Sequence, residues 1–277
     1  MKPILFLLSL ILSTTACSQE NPWISKLPFK NATIHYEVSG MMSGHKTLFI
    51  KDYGQTTAMH SETSMTIFGI KQPNRALEIT TPDWIYTYDL IKKSGRKQAN
   101  PNAFFIAEFN ALSANEQKKV AENAEKFGTN TMNGLQGEVE KNAATLLGFK
   151  CDKTNMMGTE VFTMREGGIP LKVTSNTMGV QSTEQATHVD KKKVSDRYFK
   201  RPENIKLHHD TYIDERMQQQ AKSVIQNLLA GNPPFQGTQT PIREGRANPG
   251  KPMDGTMDKT NPELQEQMKQ MLKMFGG

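Results

Sequence analysis

Over much of the chain apolar and polar residues alternate with a period of two, the pattern of strands that bury one face. Ile34, Tyr36 and Val38 alternate with Thr33, His35 and Glu37, and the run ends at Gly40 and the Ser43-Gly44 pair. Leu48 and Ile50 alternate with Phe49 and Lys51 as far as Tyr53-Gly54. Further strand patterns follow around 65–70, which includes Ile67, and around 77–79. The strongest covers 84–91, with Trp84, Tyr86 and Tyr88 on one face and Ile85 and Ile91 on the other. Beyond residue 138 short strands are predicted over 138–144, 148–156, 159–164, which contains Val161, 169–176, which contains Leu171, and 181–189. Glycine-containing turns separate them at a spacing of about ten residues, which indicates antiparallel all-β architecture.

Three stretches switch to helical spacing. Ser113-Ala114-Asn115-Glu116 is a capping box, and Val120, Ala124 and Phe127 then form a narrow apolar stripe over 113–127 that is expected to lie on the sheet. Residues 207–231 contain an amphipathic helix with Ile213, Met217, Ala221, Val224 and Leu228 on one stripe, stopped by Gly231. Residues 232–260, rich in proline and glycine, read as a disordered linker. Asn261-Pro262-Glu263 caps a last helix over 261–275. Its stripe of Leu264, Met268, Met271, Leu272 and Phe275 is short enough to need something to dock on, and a protein partner is one candidate.

The first residues change where this fold is expected to work. Lys2, an apolar run over 4–12 and a small-residue stretch ending Thr14-Thr15-Ala16-Cys17 have the order of a bacterial secretory signal. The apolar run is too short for a membrane span, which needs about 20 residues. The last four residues resemble a lipoprotein lipobox, with Thr14 where leucine is commoner, so residues 1–16 are expected to be removed and Cys17 diacylated. Two acyl chains would hold the protein to a membrane, and Ser18 is compatible with the outer membrane. Residues 17–30 become a tether and 31–206 the β domain, in the cell envelope facing the periplasm. Simple cleavage without lipid is the alternative. With Cys17 acylated, Cys151 has no intramolecular partner, and stability must come from buried apolar surface.

Charge adds little to this picture. The net charge is +6 with 36% hydrophobic residues, and the basic clusters at Lys92-Lys93 with Arg96-Lys97 and at 191–193 read as solvated turns. They would attract anionic headgroups weakly. No basic motif interleaved with aromatics occurs, which argues against nucleic acid as a partner. Candidate chemistry is sparse. Cys151 lies between Lys150 and Asp152, but strand neighbours point to opposite faces, so a buried structural thiol is expected. His208-His209-Asp210 reads as a helix N-terminus and not as a metal site, with Asp210 or Thr211 as the cap. His188-Val189-Asp190 reads as a solvent-facing strand edge. No Gly-x-Ser-x-Gly, phosphate loop or paired-cysteine motif is present, so neither an enzyme nor a cofactor or metal is expected.

Residues 145–152, with Gly148-Phe149-Lys150-Cys151 at their centre, together with Gly168-Ile169-Pro170-Leu171 and the closing Val194-Ser195-Asp196-Arg197-Tyr198-Phe199, resemble a domain of unknown function of bacterial envelope proteins. The likeness extends over about residues 30–205, and that family is similar to the lipoprotein-carrier superfamily. The resemblance implies a strongly curved antiparallel sheet, a half-barrel with a few covering helices, and a role in binding a lipid, acyl chain or other hydrophobic ligand or in handling lipoproteins. A sheet apolar on both faces with few helices fits that shape. Tyr36, Val38, Ile50, Ile67, Trp84, Tyr86, Tyr88, Val161 and Leu171 are then the candidates to line its cavity. A structural protein recruiting a partner through its C-terminal helix is the alternative function.

Overall fold

The computed structural model describes residues 20–24, 27–67, 70–127, 138–156, 158–177 and 180–235. Cys17 and the tail residues Leu264, Met268, Met271, Leu272 and Phe275 lie outside them. The architecture is mainly β, with one open sheet of twelve strands and three helices among the described residues.

The sheet begins as a meander. β1 (Ala32–Gly40), β2 (Met42–Lys51), β3 (Thr56–Ile67), β4 (Ile70–Thr80), β5 (Trp84–Asp89) and β6 (Ser94–Ala99) pair in sequence order. Two helices follow, α1 (Pro101–Asn110) and α2 (Ala114–Phe127). The second meander is β7 (Glu138–Leu146), β8 (Phe149–Met156), β9 (Thr159–Met164), β10 (Pro170–Thr177) and β11 (Val180–Asp190). β11 pairs with β1 and welds the two into one sheet. The three-residue β12 (Leu207–His209) adds a parallel strand beside β6, and α3 (Thr211–Ala230) closes the described chain. β12 and β7 are therefore the two edges. β7 is broken internally: its pairing with β8 skips between Glu140 and Ala144, and Asn142 there has φ 55°. The Asn142 amide donates to Asp152 and its side chain accepts from Arg165, which holds the bulge.

Alternation fixes two faces. The inner face carries Ala32, Ile34, Tyr36 and Val38 of β1, with Leu48 and Ile50 opposite on β2 and Ala186 on β11. All of these except Val38 pack with Leu171, Met164, Cys151 and the incoming Leu27 and Phe29. The opposite face carries Phe49, Ala58, Leu77, Ile79, Tyr86 and Tyr88, which the registers bring into rows. A strap formed by residues 194–207 crosses this second face, burying Val194 and packing the half-buried Tyr198, Phe199, Ile205 and Leu207 against it. Phe49 and Tyr198 stack at 3.8 Å, and the His60 ring donates to the Tyr198 carbonyl at 3.0 Å.

The helices make a third core of their own. Phe105 and Phe109 of α1, Val120 and Ala124 of α2, and Ala221, Val224, Ile225 and Leu228 of α3 enclose Trp23, which stacks on Phe105 at 5.3 Å. The α2 stripe thus meets two helices, and the expectation that it lies on the sheet is corrected: Phe104, Phe105, Ile106 and Phe109 of the unforeseen α1 give it an apolar partner nearer in sequence. Beyond one another the helices pack principally against β6. Ala32, Ile34, Val38, Thr63 and Thr154 on the inner face are nonetheless buried, as a curved sheet that turns this face in on itself requires.

Candidate functional site

The proposed cavity residues do not meet in one place. Tyr36, Ile50 and Leu171 belong to the inner cluster, and Trp84, Tyr86 and Tyr88 to the strapped cluster on the other face. Each set is covered by the chain's own side chains. Arg201 lies over Tyr86 at 4.9 Å and Lys97 over Trp84 at 3.4 Å, so the aromatic row is the floor beneath a strap. Val38 is buried on the inner face, and Val161, half-buried, faces Val173 and Thr154 across neighbouring strands. The backbone of Ile67 ends β3 opposite Ile70, and its side chain lies outside the described residues.

Register brings together a different group that the candidate set missed. The hairpins β1–β2, β3–β4, β8–β9 and β10–β11 all turn at the same end of the sheet. There Gly40 pairs with Ser182, Met42 with Met65, Met65 with Gln72 and Met156 with Thr159. By sequence, 39–45, 63–70, 154–159 and 173–183 contain no Asp, Glu, Lys or Arg, although Lys71, paired with Thr66, and Glu138, paired with Asn155, stand beside them. The four tip segments contain six methionines: Met41, Met42, Met65, Met156, Met157 and Met178. Among the side chains described there Met41 is 44% exposed and Ile70 66%, and Val139 at the start of neighbouring β7 is 40% exposed, whereas Thr63, Ser64 and Thr154 are buried. The turn after β5, which carries Lys92 and Lys93, is set back, because Asp89 pairs with Ala76, six residues along β4 from Ile70.

Below this rim the charges neutralise one another across strands. Glu62 meets His45 at 3.4 Å and Arg75 at 3.1 Å, Lys153 meets Glu160 at 2.6 Å, and Lys46 pairs with Glu184 across β1. Gly40 and Gly44 allow the close approach that builds the tips. Gly40 has φ 103°, and a Cβ there would stand 2.1 Å from the Gln181 carbonyl oxygen; at Gly44 the Glu62 carbonyl would be 2.3 Å away. A sequence signal for this end existed in the spacing of Met-Met and Met-Gly pairs at predicted turns. Its meaning depended on strand order, which no local pattern supplies.

The groups with catalytic potential are placed for structural work. Cys151 is fully buried, donates to the Phe149 carbonyl at 3.5 Å, and burial pushes its thiol above the ordinary range, which disfavours the nucleophilic thiolate. Tyr36 donates to the Pro170 carbonyl at 3.1 Å, and burial, then the charge of Glu184, raise its phenol well above the usual value. Asp210 caps α3 by accepting from the Tyr212 amide. His209 donates to Asp214 at 2.6 Å, and Asp214 also accepts from the Ala99 amide at 2.9 Å, which fastens α3 to the β6 edge. Among the described residues no three His, Cys, Asp or Glu side chains converge as a metal site needs.

No protein-family model matches the chain, and no curated protein does. Among solved structures it is similar to an uncharacterized conserved protein from Thermus thermophilus, at 7% identity and a TM-score of 0.36, over 65% of this chain and 91% of that one. It is also similar to PNGF-II, at 12% identity and a TM-score of 0.32, over 69% of this chain and 33% of that one, so the match spans about a third of PNGF-II. At these scores neither likeness bears on function.

Proposed function

We propose that this protein is an exported envelope lipoprotein, acylated at Cys17 and held to the outer membrane on its periplasmic side, that binds a hydrophobic ligand without catalysing a reaction. The observation that carries the proposal is the hairpin-tip end of the curved sheet, where Met41, Ile70 and Val139 are left in solvent beside an ion-paired belt. Exposed apolar surface gathered at one place is what a binding site for greasy matter needs, at roughly 25 cal/mol per Å² removed from water. The signal-like first sixteen residues, the lipobox-like Thr14-Thr15-Ala16-Cys17 and the resemblance to carriers of lipoproteins support the same assignment. Val38, Ile67 and Val161 lie on strands that lead into this end, and of the original candidates they are the ones the proposal retains.

Native mass spectrometry of the chain extracted in mild detergent tests both halves of the proposal. The expected result is a mass starting at Cys17 with acyl chains attached, and saturable binding of a fluorescent fatty-acid probe. An unmodified N-terminus refutes the anchor, and absence of any probe binding refutes the ligand class.

A further inference from the structure

We infer that His35 and His188 form an open site for a divalent transition-metal ion, on the seam that joins the two meanders. The two residues are directly opposed on β1 and β11, and their ring centroids are 6.2 Å apart with the planes 22° from parallel. Strand alternation puts both on the face opposite Ile34 and Tyr36, where both are exposed and their rings can turn in water. An ion takes one nitrogen of each imidazole at about 2.0–2.1 Å, a span that opposed residues on neighbouring strands provide with a modest turn of either ring. The backbone beneath is fixed by a bulge: the pairing shifts between His35 and Tyr36, and the Thr187 hydroxyl donates to the His35 carbonyl at 3.2 Å.

The surroundings suit a cation. Thr47, opposite His35 on β2, has its hydroxyl oxygen 3.4 Å from His35 Nδ1. With the ring donating from Nδ1 to that oxygen, the Nε2 lone pair is kept for an ion and the ring is held by a contact behind it. Glu37 and Asp190 stand one row to either side on the same face and favour a cation, although Lys192 pairs with Asp190 at 3.3 Å. Other histidines are engaged elsewhere: His45 meets Glu62, His60 the Tyr198 carbonyl and His209 Asp214. Two protein ligands are one fewer than a resident catalytic ion takes, in keeping with the lack of any three-ligand cluster among the described residues. Water fills the other positions, so the ion exchanges, and imidazole ligands hold Cu²⁺ more tightly than Ni²⁺ or Zn²⁺. Because β1–β11 is the pairing that welds the meanders, an ion shared across it stabilises the folded chain over the unfolded one.

The test titrates the full mature chain with Cu²⁺, Zn²⁺ and Mg²⁺ by isothermal titration calorimetry and melts it with and without each ion. One Cu²⁺ per chain is expected, bound more tightly than Zn²⁺, with no Mg²⁺ bound and a thermal midpoint that rises with Cu²⁺ concentration. His35→Gln and His188→Gln should each weaken Cu²⁺ binding about tenfold or more and remove the rise, whereas His45→Gln and His208→Gln should keep affinity within about twofold. All four positions are exposed, so the metal-free variants should melt as the parent does; if one of the first pair fails to fold, the other decides. In the unsubstituted chain Cu²⁺ should broaden the imidazole resonances of His35 and His188 before those of the other histidines, a reading that needs neither variant. Absence of bound Cu²⁺, binding that survives both substitutions, loss in His208→Gln instead, or one ion shared between two chains overturns the inference. None of these results depends on whether the fatty-acid probe binds.

Discussion

At the Ala32 end of the sheet most large apolar side chains are buried, although Ile24, Tyr53 and Leu147 stand in solvent. Leu27, Phe29, Ile50 and Leu171 are buried against one another and Trp23 among the helices, and two backbone hydrogen bonds pin the entering chain to the turn after β2. At the Gly40 end the hairpins turn with Met41 and Ile70 in water, and the charges nearest the tips are Lys71 and Glu138. Residues of equal hydrophobicity thus have opposite duties, and what separates them is whether the topology supplies a cover. Stability is concentrated where the chain crosses itself, and apolar side chains stay in solvent where the strands simply turn round.

The comparison is broken most severely by truncating a buried residue. Ile50→Ala, at a position with 0% exposure, should cost about 2–5 kcal/mol in urea unfolding, whereas Ile70→Ala should stay within about 0.5 kcal/mol. Equal losses at the two sites would erase the distinction. Next in size, Gly40→Ala should cost about 1–3 kcal/mol, because the side chain meets the Gln181 carbonyl and the backbone is left-handed. Hydrogen exchange should rise first at the β1–β11 tip and leave the helices protected.

A smaller effect is expected at Trp23, whose indole N–H is buried with no hydrogen-bond partner among the described residues. Trp23→Phe forfeits packing against Phe105 and Phe109 but also relieves an unpaired donor. Its net cost should therefore fall below about 1.5 kcal/mol, against about 3–5 for Phe109→Ala. The smallest effect is with pH. Burial, then Glu184, keep the Tyr36 phenol protonated in the folded state above the value at which it ionises when unfolded. Stability linked to Tyr36 is therefore complete below about pH 10 and falls as pH rises beyond it. Tyr36→Phe should flatten the alkaline limb of a stability profile and lower it at neutral pH by only about 1 kcal/mol, for the lost hydrogen bond to Pro170.

Much of this architecture could be read from the residues. The strands around Tyr36, Ile50 and Tyr86, the capping box at Ser113 and Glu116, and the twenty residues of α3 all declare themselves by period or by cap. β6 did not, because Ser94-Gly95-Arg96-Lys97-Gln98 has no apolar residue before Ala99, and its strand conformation depends on pairing with β5 and on Gly95 fitting beneath Leu207. α1 did not either, since Phe104, Phe105, Ile106 and Phe109 surround a short helix without a polar face, although Asn100-Pro101 is a cap followed by a proline suited to the first turn. The shared face of Trp84, Tyr86 and Tyr88 was legible, but its cover was not. The strap reaches it from more than a hundred residues away, and an aromatic row looks the same under a ligand as under Tyr198.

The kink at Asn142 bears on how the molecule behaves in a crowd. An open sheet ends in a row of unsatisfied amides and carbonyls, a template on which copies could stack without limit. Here the outermost strand loses its straightness after three paired residues, and the opposite border is only three residues long. Growth by edge-to-edge addition is thereby blocked, so the protein can leave apolar side chains in water at its tips without also offering its borders as a seed for fibrils.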